Sequence, residues 1–158
     1  MAIKRTYTVT FSNVTVSAAQ DLFLVNAGSA MAFELHQLVL GAEGIVTPAE
    51  LRVQIKRLTA TVTAGSGGAA ASLNPMAKGT SAASVNARCN DTTRASTTGT
   101  ATILLADAWQ LLNGYVFAPP ADEDRPQFTL NESLLVGLET APGSTFVANG
   151  FAVIAELL

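Results

Sequence analysis

The chain reads as an all-β fold, an antiparallel β-sandwich in one domain. Three observations predict it. Apolar and polar residues alternate with a period of two in several segments, which is the periodicity of a half-buried strand. Turn-forming clusters recur at roughly ten-residue spacing and bound eight or more such segments, as in sandwiches and barrels. No segment carries the apolar stripe of a helix of any length. Strands are long at both ends of the chain and one long excursion interrupts the middle, which makes a jelly roll the preferred member of the class.

The first strand runs from Ile3 to Phe11, with Ile3, Tyr7, Val9 and Phe11 on one side. Lys4, Thr6, Thr8 and Thr10 fall on the other side, and Arg5 is the exception. Thr, Val and aromatic residues suit a pleated, half-buried surface. Ser12 and Asn13 break the pattern, and Val14 to Val16 resumes it. Ser17 to Asp21 reads as one helical turn or a loop, Leu22 to Val25 as a short buried strand, and Asn26 to Ser29 as a turn. Ala32 to Leu40 has the length of a helix but no clean stripe, and its glycine-containing flanks favour strand. Thr47-Pro48-Ala49-Glu50 has the chemistry of a helix start, yet strand follows at once, so a single turn is expected.

The rest of the chain is organised around Leu51 to Gly68. Leu51, Val53 and Ile55 alternate with Arg52, Gln54 and Lys56, and then the apolar parity switches to Leu58, Ala60 and Val62. A β-bulge near Lys56–Arg57 would keep both apolar sets on the same core. The alternative is a strand that leaves one sheet and joins another. Gly65 to Thr100 is rich in Gly, Ala, Ser, Thr and Asn, with little apolar weight beyond Leu73, Met76 and Val85. Two readings stand: disorder, or a long excursion that becomes ordered against a neighbouring subunit. Val85 to Cys89 is a candidate short strand inside it.

Order returns with Thr100 to Leu105 and continues through Ala108 to Leu112. Asn113-Gly114 is the strongest hairpin-turn dipeptide in the chain, and Tyr115 to Phe117 leaves it. Ala118 to Pro126 is an exposed loop. Three strands close the chain, at Gln127–Leu130, Ser133–Glu139 and Thr145–Leu157. In the last two, the alternating apolar sets are Leu134, Val136, Leu138 and then Val147, Phe151, Val153, Ala155, Leu157.

At 158 residues the chain fits one domain, 1–158, with residues 64–98 as a long loop or arm within it. Charged residues make up 13%, against roughly 25% in an ordinary soluble protein. Ala, Thr, Ser and Gly make up the deficit, a neutral surface suited to packing against other subunits. A net charge of −3 without a basic run argues against a nucleic-acid partner. Cys89 is the single cysteine, so no intrachain disulfide forms. The N-terminus has no apolar h-region, and no apolar run approaches the ~20 residues of a membrane span. No membrane partner and no cleaved signal are therefore expected, and synthesis is expected in the cytoplasm.

Candidate chemistry is sparse. His36 is the only histidine, which excludes a His-rich metal site and leaves no standard triad beyond it. Cys89 lies beside Arg88, whose charge could lower a thiol pKa, but has no histidine near in sequence. Gly65-Ser66-Gly67-Gly68 lacks the Gly-Lys-Ser/Thr ending of a phosphate loop. Asp122-Glu123-Asp124 lacks EF-hand spacing and reads as a solvated acidic loop. Asn13, Asn90 and Asn131 begin glycosylation triplets that arise by chance in a Ser/Thr-rich chain. Trp109, Tyr115 and Phe117 read as core or interface aromatics of one hairpin. No catalytic residue, metal or cofactor is assigned, and no small-molecule substrate is expected.

Three blocks together resemble a known group. They are Ser17-Ala-Ala-Gln-Asp-Leu-Phe23, then Glu50-Leu-Arg-Val-Gln-Ile-Lys-Arg57 with the Gly-Ser-Gly-Gly tract, then Leu104-Leu-Ala-Asp-Ala-Trp109 leading to Tyr115 and the Pro-rich 118–126 loop. The layout resembles the head decoration, or cement, proteins of tailed bacteriophages, small proteins encoded near the capsid genes, with a jelly-roll-like sandwich. The resemblance implies a homo-oligomer, a trimer, on the outer capsid surface of the virion, whose loops and N-terminal arm grip the major capsid protein. Interface roles are expected of Ala64 to Thr98 and of the Met1 to Tyr7 arm. The contact residues expected are Lys4, Arg5, Tyr7, Leu73, Met76, Arg88, Trp109 and Tyr115. A second reading is a carbohydrate- or receptor-binding β-sandwich of a phage tail or cell surface, using Trp109 and Tyr115. A third, a cupin-like enzyme, is disfavoured by the lone histidine.

Overall fold

A computed structural model describes residues 4–44 and 47–158. Its strands, in chain order, are β1 (Lys4–Val16), β2 (Gln20–Asn26), β3 (Phe33–Glu43), β4 (Glu50–Leu58), β5 (Val62–Thr63), β6 (Ala69–Ala71) and β7 (Asn74–Pro75). After them come β8 (Asn86–Asp91), β9 (Ser96–Thr97), β10 (Ala101–Gln110), β11 (Tyr115–Phe117), β12 (Gln127–Phe128), β13 (Ser133–Leu138) and β14 (Phe146–Leu157). The helical content among the described residues is a single 3₁₀ turn, Asp122–Asp124, inside the loop expected at 118–126.

Two six-stranded sheets hold nearly all of these strands. Sheet one has the order β11-β3-β14-β1-β7, with β12 also paired to β3. Sheet two has the order β10-β4-β13-β2-β8-β6. Every pairing is antiparallel. The chain changes sheet at each principal connection except those from β4 to β10 and from β11 to β12. The resulting strand orders, β1-β14-β3-β11 facing β2-β13-β4-β10, are those of a jelly roll. The interior is filled from both sheets, with Tyr7, Val9, Leu35, Leu38, Ile55, Leu134 and Ile154 at full burial. Each large apolar side chain so buried contributes about 1.5–3 kcal/mol.

The long excursion occupies the connection from β4 to β10, which starts and ends in sheet two. It is built onto its own chain: β8 and β6 extend sheet two beyond β2, and β7 pairs with β1. The short strand expected at Val85–Cys89 is present as β8. The strands of this tract thus find their partners within the same chain.

Several local expectations are corrected. The parity switch in β4 is not a bulge, because its register with β13 runs unbroken from Leu58↔Ser133 to Val53↔Leu138. Leu58 turns away from the main core and joins Leu24 and Leu135 in a second apolar cluster on the outer face of sheet two. The bulge lies instead in the partner strand β10, between Ile103 and Leu105. The chain does then leave for another sheet, since Val62–Thr63 pairs with Ser96–Thr97 in a separate two-stranded ribbon.

In β14 the inward set is Phe146, Ala148, Ala152 and Ile154, while Val147, Phe151 and Val153 are half-buried on the outside. Packing decides this: a Cβ at Gly150 would sit 2.9 Å from the Phe11 ring, so the inward face of β14 must be small where that ring lies. Asn113-Gly114 does turn the chain, with Gly114 at φ 74°. It is no hairpin within one sheet, for β10 belongs to sheet two and β11 to sheet one. Residues 17–19 and 47–49 form no helical turn.

Candidate functional site

The 59–100 excursion is tied to sheet two by charge as well as by Val62 and Ala95, which pack on the second apolar cluster. Arg94 donates from Nη1 to Glu139 Oε2 at 2.8 Å and from Nη2 to the Leu138 carbonyl. Lys56 Nζ donates to Glu139 Oε1 at 2.7 Å. Burial works against ionisation of Glu139, but these two donors outweigh it and hold its carboxyl below the usual glutamate range. Asp91, buried, accepts two bonds from the Arg88 guanidinium, at 2.8 and 2.7 Å, and one from the Gly68 amide at 3.0 Å. Asp21 Oδ2 accepts from the Ala95 amide at 2.6 Å, while its Oδ1 is buried without a partner. Burial pushes the Asp21 carboxyl above its ordinary value.

A second polar group gathers at the start of β1. Glu34, at 1% exposure, accepts from Lys4 Nζ at 2.7 Å and contacts His36 Nε2 at 2.6 Å. Arg125 Nη1 stands 3.7 Å from the same carboxylate. Burial opposes the charge, yet Lys4 and His36 together hold Glu34 below the usual range. The residues bind β1, β3 and the 118–126 loop to one another, and among the described residues no hydroxyl or thiol nucleophile hydrogen-bonds to His36. Cys89 faces the interior edge of sheet two, where burial and then Asp91 push its thiol up to about 12, the reverse of an activated nucleophile. Asp122 bonds to Arg125 and not to its acidic neighbours. Among the described residues no group of three or more His, Cys, Asp or Glu could hold a metal ion, and no helix is long and apolar enough to cross a membrane.

Of the contact residues expected from sequence, three lie in the core. Tyr7 is fully buried and donates its hydroxyl to the Ser81 carbonyl at 2.9 Å. Trp109 is fully buried against Phe146, ring edge to face at 5.5 Å, and Tyr115 is 8% exposed. Trp109 and Tyr115 therefore offer no exposed stacking face to a sugar. Leu73 packs against the main core, Arg88 is committed to Asp91, Lys4 to Glu34, and Arg5 is half-buried. Met76 alone of the set is an exposed apolar side chain, at 60%. Of the Met1 to Tyr7 arm, residues 1–3 lie outside the described residues.

Sequence reading missed the strand that is exposed. Eight of the ten residues of β10 are open to solvent, and among the described residues its only strand partner is β4. Among the described residues seven large apolar side chains are exposed, and four of them, Ile103, Leu105, Leu112 and Val116, fall on β10, β11 and the turn between. Ile103-Leu104-Leu105 carried the signal: three consecutive apolar residues cannot all face one core in a strand of period two. The opposite edge of sheet two borders a groove of about 640 Å³ between β1 and the pair β6 and β8. Beyond Thr8 the edge of β1 there has no strand partner, because β7 pairs only with Tyr7 and Thr8.

The fold and these surfaces define a jelly-roll sandwich whose sheet two ends in the edge strands β10 and β6. Comparison with protein-family models, with curated proteins and with solved structures finds no match.

Proposed function

We propose that this protein is a structural virion protein, a capsid decoration or cement protein that sits as a homo-oligomer on the outer surface of a phage shell. The observation that carries the reading is the exposed apolar edge: a soluble β-sandwich rarely leaves a ten-residue strand open with Ile103 at 53% and Leu105 at 37% exposure unless something covers it. The neutral, small-residue surface supports it, since shape rather than charge then governs contact. The 59–100 tract enters as a preformed plate rather than as a mobile clamp, because its ion pairs and strands are made within one chain. Such a protein stabilises a shell by mass action, binding the assembled lattice and not its separated parts.

Light scattering behind size exclusion tests the reading, followed by co-sedimentation with undecorated shells. A mass near three times 16.3 kDa together with shell binding is the expected result. A monomer that fails to sediment with shells overturns it.

A further inference from the structure

We infer that the β10 edge of one copy docks against the β6 edge and adjoining groove of the next, so that sheet two continues from subunit to subunit. This rests on the homo-oligomer reading above and names the two surfaces it uses.

Strand direction comes first. Sheet two has six strands and every pair in it is antiparallel, so its terminal strands, β10 and β6, run in opposite directions. Two copies related by a rotation about an axis along the strands therefore bring β10 and β6 together antiparallel. Such a contact is heterologous and generates a ring where the rotation closes.

The length of the pairable stretch agrees. Asp107 pairs with Val53 and so points to the inward side, and Leu104 is the bulged residue. An inward charge and a bulge are both devices that discourage strand addition. They leave Ala101, Thr102 and Ile103 as the clean part of the edge, and the register that matches faces sets Ile103 opposite Ala70, both outward, and Thr102 opposite Ala71, both inward.

Side-chain chemistry agrees as well. Ile103 pairs with Lys56 and lies on the outer face, while Leu105 pairs with Ile55 and points to the side between the sheets. The groove beside β6 opens on that same side, with Phe11, Val14 and Cys89 in its wall. None of its fifteen lining residues is charged, and residues 101–106 of β10 carry no charge. The three alanines of β6 line the groove with side chains of a single carbon, which leaves room for Leu105. An apolar donor without charge meets an uncharged cleft lined by small residues.

Cross-linking tests this. In a Cys89→Ala background, Ile103→Cys and Ala70→Cys are made singly and together, at two exposed positions on the outer face. Within one chain the two sites are about 24 Å apart, five strand spacings of ~4.8 Å, so a short thiol cross-linker joins them only between copies. The expected result is a ladder of multimers from the double variant, at least tenfold above either single variant. Leu105→Lys is expected to reduce the mass in solution to that of one chain. Dimers from Ile103→Cys alone would show β10 pairing with itself and overturn the inference. An unlinked protein that still scatters as an oligomer also overturns it, while leaving the homo-oligomer reading intact. A wild-type protein that scatters as a monomer at every concentration removes both.

Discussion

On its outer face, sheet two buries Leu24, Leu58 and Leu135 under Val62 and Ala95 of the 59–100 excursion, whereas sheet one leaves Val39, Phe151 and Val153 half-buried and Val116 open to solvent. The covering segment is the part of the chain with the least apolar weight. Its small residues are what let it fold tightly on itself: a Cβ at Gly68 would fall 2.1 Å from the Cys89 carbonyl oxygen, and one at Gly65 2.1 Å from that of Thr93. Low complexity here records close approach of backbone to backbone, not an inability to fold. The uncovered face manages without a lid by alternating its apolar residues with rows of threonine, among them Thr6, Thr8 and Thr10 on β1.

Substitutions can grade this contrast. The shared interior sets the upper bound: Trp109→Ala is expected to cost about 3–5 kcal/mol in denaturant unfolding. Leu135→Ala, in the second cluster, is expected to cost about 2–3 kcal/mol, since a covered face behaves as core. A loss below about 0.5 kcal/mol would mean that the lid is not closed in solution.

Arg94→Ala is expected to cost about 1 kcal/mol globally, because the pair is partly exposed and Lys56 remains for Glu139. Its sharper effect should be local, with faster amide exchange across residues 59–100 and unchanged exchange in β3 and β14. Uniform acceleration would show that the lid has no separate unfolding unit. Phe151→Thr, on the bare face, is expected to change stability by less than about 0.5 kcal/mol.

Acid should loosen the lid. Glu139 and Glu34 titrate below the glutamate value of 4.5, so their stabilisation is complete above that value and is lost as pH falls through their folded values. Asp21 shifts upward and acts in the opposite sense, gaining on protonation. The net expectation is a falling melting temperature between about pH 5 and pH 3, flattened by Glu139→Gln and steepened by Asp21→Asn. An Asp21→Asn curve that is flatter than wild type would contradict the assignment.

Much of the fold was legible locally. Alternation in β1, the short strand around Val85–Cys89 and the turns at Asn26, Asn113 and Asn131 each rest on residues within a few positions of one another. β2 also carried a readable sign: Gln20 to Val25 are all buried, the pattern of a strand covered on both faces. The candidate surface was less legible. Trp109 and Tyr115 drew attention by size, yet large aromatics are more at home in a core, and the exposed strand between Ala101 and Ala108 looks unremarkable by composition.

Periodicity, turn chemistry and composition by themselves determined that this is an all-β sandwich with few charges and a long insertion in its middle. They are local or summed properties, readable without knowing what lies across a strand. Tertiary structure alone decided which face of β14 points inward, where Leu58 goes, which sheet follows Asn113-Gly114, and which edges stay open. Each of those outcomes depends on a partner far away in sequence: the Phe11 ring over Gly150, the lid over Leu24 and Leu135, and the lack of any strand beyond β10.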